Sequence, residues 1–395
     1  MTGGGATNHR VNLPIAFGRP NFSDEEIEAV TRVMRSGWIG MGQETLLFEQ
    51  ELAAAVGVGN VVSVSSCTGA LFLSLVSLGV GAGDEVICPS LTWCSTANVA
   101  LYLGAVPVFC DVDEQTMLAT PHSVLAKVSD RTKAVIVVHY GGLALDVAAL
   151  RRVLPAHVAI VEDAAHALGA RYPDGTPVGA SGNLTCFSFY ANKNLSTGEG
   201  GAICCPSAQV AAHLASLRQH GLASDAWARY SQPRQPFALQ GLSELGYKLN
   251  YTDLQAAIGR VQLRRQAEFA ARRQAIADCY LDAIARDWPR LRPQARVGDA
   301  RHARHLFAVR LPLENMTCDR ATLVSTLRAK GIGISIHYVP LHGMPLYQPQ
   351  PALPVTDFLA DRIMTLPISA SMSLDEARYC WSELIACLAT HGGHP

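Results

Sequence analysis

Apolar positions recur at helical spacing through the first part of the chain. Ser23 and Glu26 form an S-x-x-E start signal, Ile27, Val30 and Met34 follow three to four residues apart, and Gly37 supplies a stop. Leu47, Phe48, Leu52 and Val56 predict a second helix. The pattern then changes to short β-rich runs at Val61–Val64, Val86–Cys88, Val106–Phe109, Ala134–Val138, Val158–Val161 and Thr185–Phe189. Helical stretches Ala70–Leu78, Ser95–Leu103 and Val147–Val153 lie between several of them. Strands without strict polar alternation, separated by helices, predict a mostly parallel sheet covered on both faces.

The later region reads differently. Residues Asp253 to Arg286, rich in Ala, Gln and Arg, predict one long helix bridging two domains. Beyond it, His305–Leu311 predicts a strand, Arg320–Lys330 a helix and Gly333–His337 another strand. Ser373 and Glu376 repeat the capping signal before Ala377, Trp381, Leu384, Ile385 and Leu388. With 395 residues the chain exceeds one ordinary core, and the expected division is a large domain over 12–262 and a smaller α/β domain over 263–395.

Composition narrows the class. A hydrophobic share of 49% against 16% charged residues suits a large buried sheet, and a net charge of -1 gives no reason to expect nucleic acid or a membrane surface as partner. No apolar run approaches the roughly 20 residues of a membrane span. The eleven cysteines form no C-x-x-C pair, so neither a disulfide framework nor structural zinc is expected; they read as free thiols of a cytoplasmic protein, with no metal. The first ten residues, MTGGGATNHR, read as a loose leader.

One constellation carries chemistry: Glu162-Asp163-Ala164-Ala165-His166, then Phe187-Ser188-Phe189 and Lys193, then Gly198-Glu199-Gly200-Gly201. Asp163 follows an apolar strand, and a carboxylate at the carboxyl end of a central parallel strand faces the crevice where such sheets bind ligands. A buried carboxylate there needs a cationic partner, and a protonated pyridine nitrogen serves. A lysine at 193, partly desolvated, becomes a usable amine nucleophile, and the glycines permit a tight turn beside it. Taken singly, Lys193 is an ordinary loop lysine and Asp163 a helix cap; their order and context favour the chemical reading. Ser65-Ser66-Cys67-Thr68-Gly69 follows a strand and opens a helix, where backbone N–H groups favour a phosphate or, more simply, cap the helix. Trp93 is suited either to lie flat against a planar cofactor or to fill core.

The ordered set of motifs resembles the DegT/DnrJ/EryC1/StrS family of sugar aminotransferases, from about Phe17 to the C-terminus. It includes Ser36-Gly37-Trp38, Gly83-Asp84-Glu85-Val86-Ile87, Asp111-Val112-Asp113, Glu162-Asp163-Ala164-Ala165-His166, Gly246-Tyr247-Lys248-Leu249-Asn250 and His337-Tyr338. The resemblance implies a fold-type-I α/β transferase dependent on pyridoxal 5'-phosphate (PLP), with a mostly parallel seven-stranded sheet and a smaller C-terminal α/β domain. It implies that Lys193 forms the Schiff base, Asp163 holds the pyridine nitrogen, and His166 lies near the ring hydroxyl. Thr68, Gly69 and Ser188 would hold the phosphate, Trp93 would stack on the ring, and Asn250 would reach over from the partner subunit of a homodimer. Lys248 and Asn250 replace the family's common N-x-R form and resemble the subgroup acting on UDP-4-keto sugars, including the 4-amino-4-deoxy-arabinose type.

The reaction implied is transfer of an amino group from glutamate or glutamine to a keto-sugar nucleotide, with Lys193 as the catalytic proton carrier. Trp38, Arg229, Tyr230, His337 and Tyr338 are the candidates for substrate contact. Alternatives are an aminocyclitol or 3-keto-sugar aminotransferase of the same family, or a PLP-binding regulatory protein without turnover.

Overall fold

The computed structural model describes residues 13–222, 242, 244–296 and 301–390. Two N-terminal helices, α1 (Asp24–Ser36) and α2 (Gln43–Val56), precede the sheet. The Ser23–Glu26 box closes as expected, with the Ser23 N–H donating to the Glu26 carboxylate at 2.7 Å. The apolar stripe after it faces outward, however: Ile27 and Met34 are exposed, while Glu26, Ala29 and Val33 are buried. Helix α2 turns Phe48, Leu52 and Val56 inward, as its spacing predicts.

The main sheet has seven strands: β1 (Asn60–Val64), β2 (Glu85–Pro89), β3 (Val106–Cys110), β4 (Thr132–Val138), β5 (Ala159–Asp163), β6 (Leu184–Ser188) and β7 (Gly201–Cys205). Their order is β1-β7-β6-β5-β4-β2-β3. Only β7 runs antiparallel to its neighbours, so the sheet is mostly parallel. Helices α3 (Cys67–Ser77), α4 (Ser95–Leu101), α5 (Pro121–Leu125), α6 (Val147–Val153) and α7 (Ala208–Leu217) accompany it. Separate apolar clusters cover its two faces, one around Phe48, Val137 and Phe187 and the other around Leu71, Val86 and Ile203.

The seventh strand is absent from the sequence reading, which took the glycine run for a turn alone. Gly201 opens β7, and a β-carbon there would stand 2.6 Å from the Ser66 carbonyl carbon, 2.7 Å from the Cys67 nitrogen and 2.8 Å from the Phe187 oxygen. The bare backbone lets β7 lie against the first turn of α3.

The predicted bridge helix is two helices, α8 (Asp253–Arg264) and α9 (Gln266–Asp287). Arg265 interrupts them at φ -89, ψ 2 and is tied to Asn21, Glu26 and Glu268. No Pro or Gly marks the break. It arises because α8 packs on α1 and α2, whereas α9 packs on the last helix, so different cores claim the two halves.

The second core is built from α9, α10 (Arg320–Ala329), α12 (Leu374–Thr390) and a three-stranded sheet of β8 (Arg292–Pro293), β9 (Phe307–Arg310) and β10 (Ile363–Leu366), ordered β10-β9-β8. The short helix α11 (Pro354–Ala360) leads into β10. Ile15, far upstream, joins this core and bridges to Ile332. The strand expected over Gly333–His337 does not form; the segment makes one isolated bridge, Ser335 to Thr365, and its backbone turns toward the main sheet. The Ser373–Glu376 box starts the last helix as read.

Substitution Gly201→Ala forces backbone apart between β7 and α3. It should cost about 1–3 kcal/mol of stability, read as a lowered denaturant midpoint; an unchanged midpoint would show that the contact yields freely.

Candidate active site

Asp163 ends β5, and alternation along that strand sends its carboxylate and that of Glu162 to opposite faces. Glu162 is fully satisfied within the core. It accepts from His139 Nε2 at 2.8 Å, Tyr172 at 2.5 Å, Asn183 Nδ2 at 2.8 Å and the Ser181 hydroxyl. Burial pushes its pKa up, but these bonds outweigh burial and the net shift is downward. Glu162 is therefore structural, and its neighbour faces the crevice.

Asp163 accepts from Thr96 Oγ1 at 2.9 Å and from the Ala165 N–H at 3.1 Å, with the Cys67 thiol 4.0 Å away. Burial raises its pKa despite those bonds and the nearby positive charge of Lys193. It lies in a cavity of about 470 Å³ whose walls also carry Thr68, Trp93, His166, Ser188 and Lys193. His337 and Tyr338 close the far side. The crevice sits at the carboxyl ends of β4, β5 and β6, where parallel sheets hold ligands.

Lys193 belongs to the turn after β6, held by its own N–H on the Tyr190 carbonyl at 2.9 Å and by Thr197 N–H on Phe189. Burial lowers its pKa to about 8, with Asp163 pulling in the opposite direction. About a tenth of the amine is thus unprotonated at pH 7, far more than for an ordinary lysine, as a nucleophile or proton carrier requires.

Three imidazoles face this amine, and burial together with the lysine charge holds His166, His305 and His337 below the usual histidine range, His337 down to about 3. Neutral His166 has its tautomer fixed. Its Nδ1 accepts from the Gly141 N–H at 3.3 Å, so Nε2 carries the proton and donates to the Tyr338 oxygen at 3.1 Å. The Tyr338 hydroxyl hydrogen is then left to be donated to whatever fills the cavity. Gly141 stands at φ 67, and a β-carbon there would lie 2.5 Å from Gln294 Oε1, so only glycine offers this N–H.

Other expected residues fall as follows. Gly69 lies in the first turn of α3, its N–H taken by Ser66 Oγ at 3.0 Å. Ser66 and Thr68 leave their hydroxyl side at the cavity wall, beside a helix N-terminus. Trp93 is 61% exposed, on the rim, 6.0 Å from the Tyr338 ring. Trp38 lies apart from the cavity walls, its indole donating to the Met41 carbonyl at 3.0 Å. Asn250 is also outside this chain's cavity; its Nδ2 reaches Met41 Sδ at 3.6 Å and its buried Oδ1 has no partner. Arg229 and Tyr230, like the N-terminal leader, lie outside the described residues.

Sequence reasoning missed Thr96, which orients Asp163, and His305, which stacks on His166 at 4.5 Å. Thr96 had a faint signal in its place in the first turn of a helix that follows a strand end. His305 had none, since 139 residues separate it from His166 along the chain.

The chain is similar to known proteins over nearly its whole length. The profile of the DegT/DnrJ/EryC1/StrS aminotransferase family matches residues 20–384. The Bacillus subtilis (strain 168) spore coat polysaccharide biosynthesis protein SpsC is 39% identical over 369 residues, 92% of this chain and 94% of that protein. Among solved structures, the aminotransferase TlmJ from Streptoalloteichus hindustanus is 34% identical with a TM-score of 0.86, covering 95% of this chain and 99% of its own. The Streptococcus pneumoniae sugar aminotransferase Spr1654 in its PMP-form is 29% identical with a TM-score of 0.88, at the same coverages, and is also known in a PLP-form.

In cofactor-free protein, labelling of the Lys193 amine by a small acylating reagent should rise with pH around a midpoint near 8, rather than near 10.5. Mass spectrometry of the peptide reads it. Asp163→Asn removes the charge that favours the ammonium form, so the midpoint should move lower; a rise would contradict the assigned interaction.

Proposed function

The chain belongs to the DegT/DnrJ/EryC1/StrS aminotransferase family, and on that premise we propose that it moves an amino group from glutamate, or glutamine, to the keto carbon of an NDP-4-keto sugar. The observation that carries this reading is the meeting of a lowered-pKa amine at 193 and a buried carboxylate at 163 in one cavity beside a helix N-terminus.

The residues fit pyridoxal phosphate. Asp163 offers a buried carboxylate to a pyridine nitrogen, and Ser66, Thr68 and Ser188 line the same cavity beside the N-terminus of α3, a donor set suited to a phosphate. When bound, the cofactor supplies an electron sink that lets an α-hydrogen leave as a proton. Asp163, fixed by Thr96, keeps the pyridine nitrogen protonated. Thr68, Gly69 and Ser188 hold the phosphate at the start of α3, and Trp93 covers the ring. His166 and Tyr338 hold the side of the ring that carries its hydroxyl. Lys193 would hold the cofactor, and its amine would be the group placed to carry a proton from the amino acid's α-carbon.

Asn250, whose Nδ2 donates only to the weak acceptor Met41 Sδ at 3.6 Å, completes the phosphate site of a second copy, which makes the working unit a homodimer. The exposed Ile27 and Met34 of α1 are suited to be covered in it. We place the division between the cofactor domain and the smaller domain at residues 262 and 263, beside the Arg265 break. No helix among the described residues is long and apolar enough to cross a membrane, and the eleven free thiols suit the cytoplasm.

Glutamate added to the holoprotein should convert the PLP absorbance to that of the amino form with release of 2-oxoglutarate, and a panel of 4-keto and 3-keto sugar nucleotides, read by mass spectrometry, should return product with the 4-keto members. A bound cofactor that both glutamate and glutamine leave unchanged would instead mark a regulatory protein. Lys193→Ala should cut turnover by about 10³-fold or more. Asn250→Ala should weaken PLP retention by roughly tenfold while the dimer persists on gel filtration; full retention would remove its proposed role.

A further inference from the structure

Behind Lys193 lies a second cavity of about 470 Å³, between the Leu168–Ala170 segment, the end of α2 and the first turns of α9. Val56, Leu168, Val178, Leu263 and Phe269 give it apolar walls. Its polar lining is nearly all engaged. His302 Nε2 meets Gln294 Oε1 at 3.1 Å while its Nδ1 accepts from the Arg304 N–H. Gln266 donates to the Asn194 and Gln262 carbonyls. Gln274 donates to Asp278 and accepts from Arg304 Nε.

Arg273 is the exception. It is 4% exposed, its guanidinium donates once, to the Ile368 carbonyl at 3.3 Å, and its Nε has no acceptor. Among the described residues no carboxylate pairs with it, whereas Arg218, Arg260 and Arg265 each have a glutamate. Burial alone lowers its pKa, to about 10, so it stays charged at neutral pH. A buried cation without a counter-ion is costly and calls for an anion. Arg171 and Arg301, both exposed, add positive charge at the mouth.

We infer that this cavity is a binding site for a small organic carboxylate, whose head group pairs with Arg273 and whose hydrocarbon part meets the apolar walls. A planar guanidinium among the lining residues suits a carboxylate, and the volume suits a small ligand. The partition between this cavity and the one at Lys193 is Asn194. Its Nδ2 donates to Ala303 and Leu168 carbonyls at 3.0 and 3.4 Å, and its Oδ1 lies 3.2 Å from His305 Nδ1. His305 in turn stacks on His166, so an occupant touches the same wall that positions the first site.

Calorimetric titration of the holoprotein with succinate, at constant ionic strength, tests the assignment. Arg273→Gln should weaken succinate binding by about tenfold, with the cofactor absorbance retained. Arg301→Gln, at an exposed position that folding does not depend on, should weaken it several-fold and keeps the test valid if the buried variant fails to fold. Succinate binding unchanged in both variants, or inorganic phosphate binding as tightly as succinate, overturns the inference.

Discussion

Asp163 and Lys193 put opposite charges into one crevice from which protein excludes most water, and neither is comfortable there alone. Burial raises the acid's pKa and lowers the base's, while each one's field opposes that shift in the other. The surroundings supply what the pair needs: Thr96 and the Ala165 N–H on the carboxylate, and a turn that fixes the lysine backbone. The parallel strands matter chiefly because their carboxyl ends bring these two groups to one place. The glycine at 201 serves the same end by letting β7 close against α3.

Around that pair the molecule keeps other ionisable groups silent. His166, His305 and His337 are held neutral, so the amine is the group with a proton to exchange near neutral pH. Their neutrality also fixes direction, because the Gly141 N–H on His166 decides which way the His166–Tyr338 hydrogen bond runs. His305, His337 and Tyr338, more than a hundred residues downstream, complete this wall. A change in how the second core packs on the main sheet would therefore reach the chemistry without touching Lys193.

The same economy of charge makes Arg273 conspicuous. Among the described residues Arg218, equally buried, meets Glu49 at 2.6 Å, whereas Arg304, like Arg273, has no carboxylate in an ion pair. Arg273 meets only a carbonyl, in a cavity whose lining residue Asn194 touches His305 of the active-site wall.

Much of this was legible in the linear chain. Capping boxes at Ser23 and Ser373, the apolar runs of six of the seven main-sheet strands, and the placing of Asp163 at a strand end all depend on local spacing, which sequence displays directly. The seventh strand, the break at Arg265 and the missing strand over Gly333–His337 were not legible, since each depends on which core captures a segment. The outward turn of Ile27 and Met34 is of the same kind. Sequence named Lys193 and Asp163 through an ordered motif, but the separation of Glu162 from Asp163, the His305–His166 stack and the unpaired Arg273 came only with the folded chain. Contacts between residues a hundred positions apart, and the burial that shifts a pKa, are properties of packing in three dimensions.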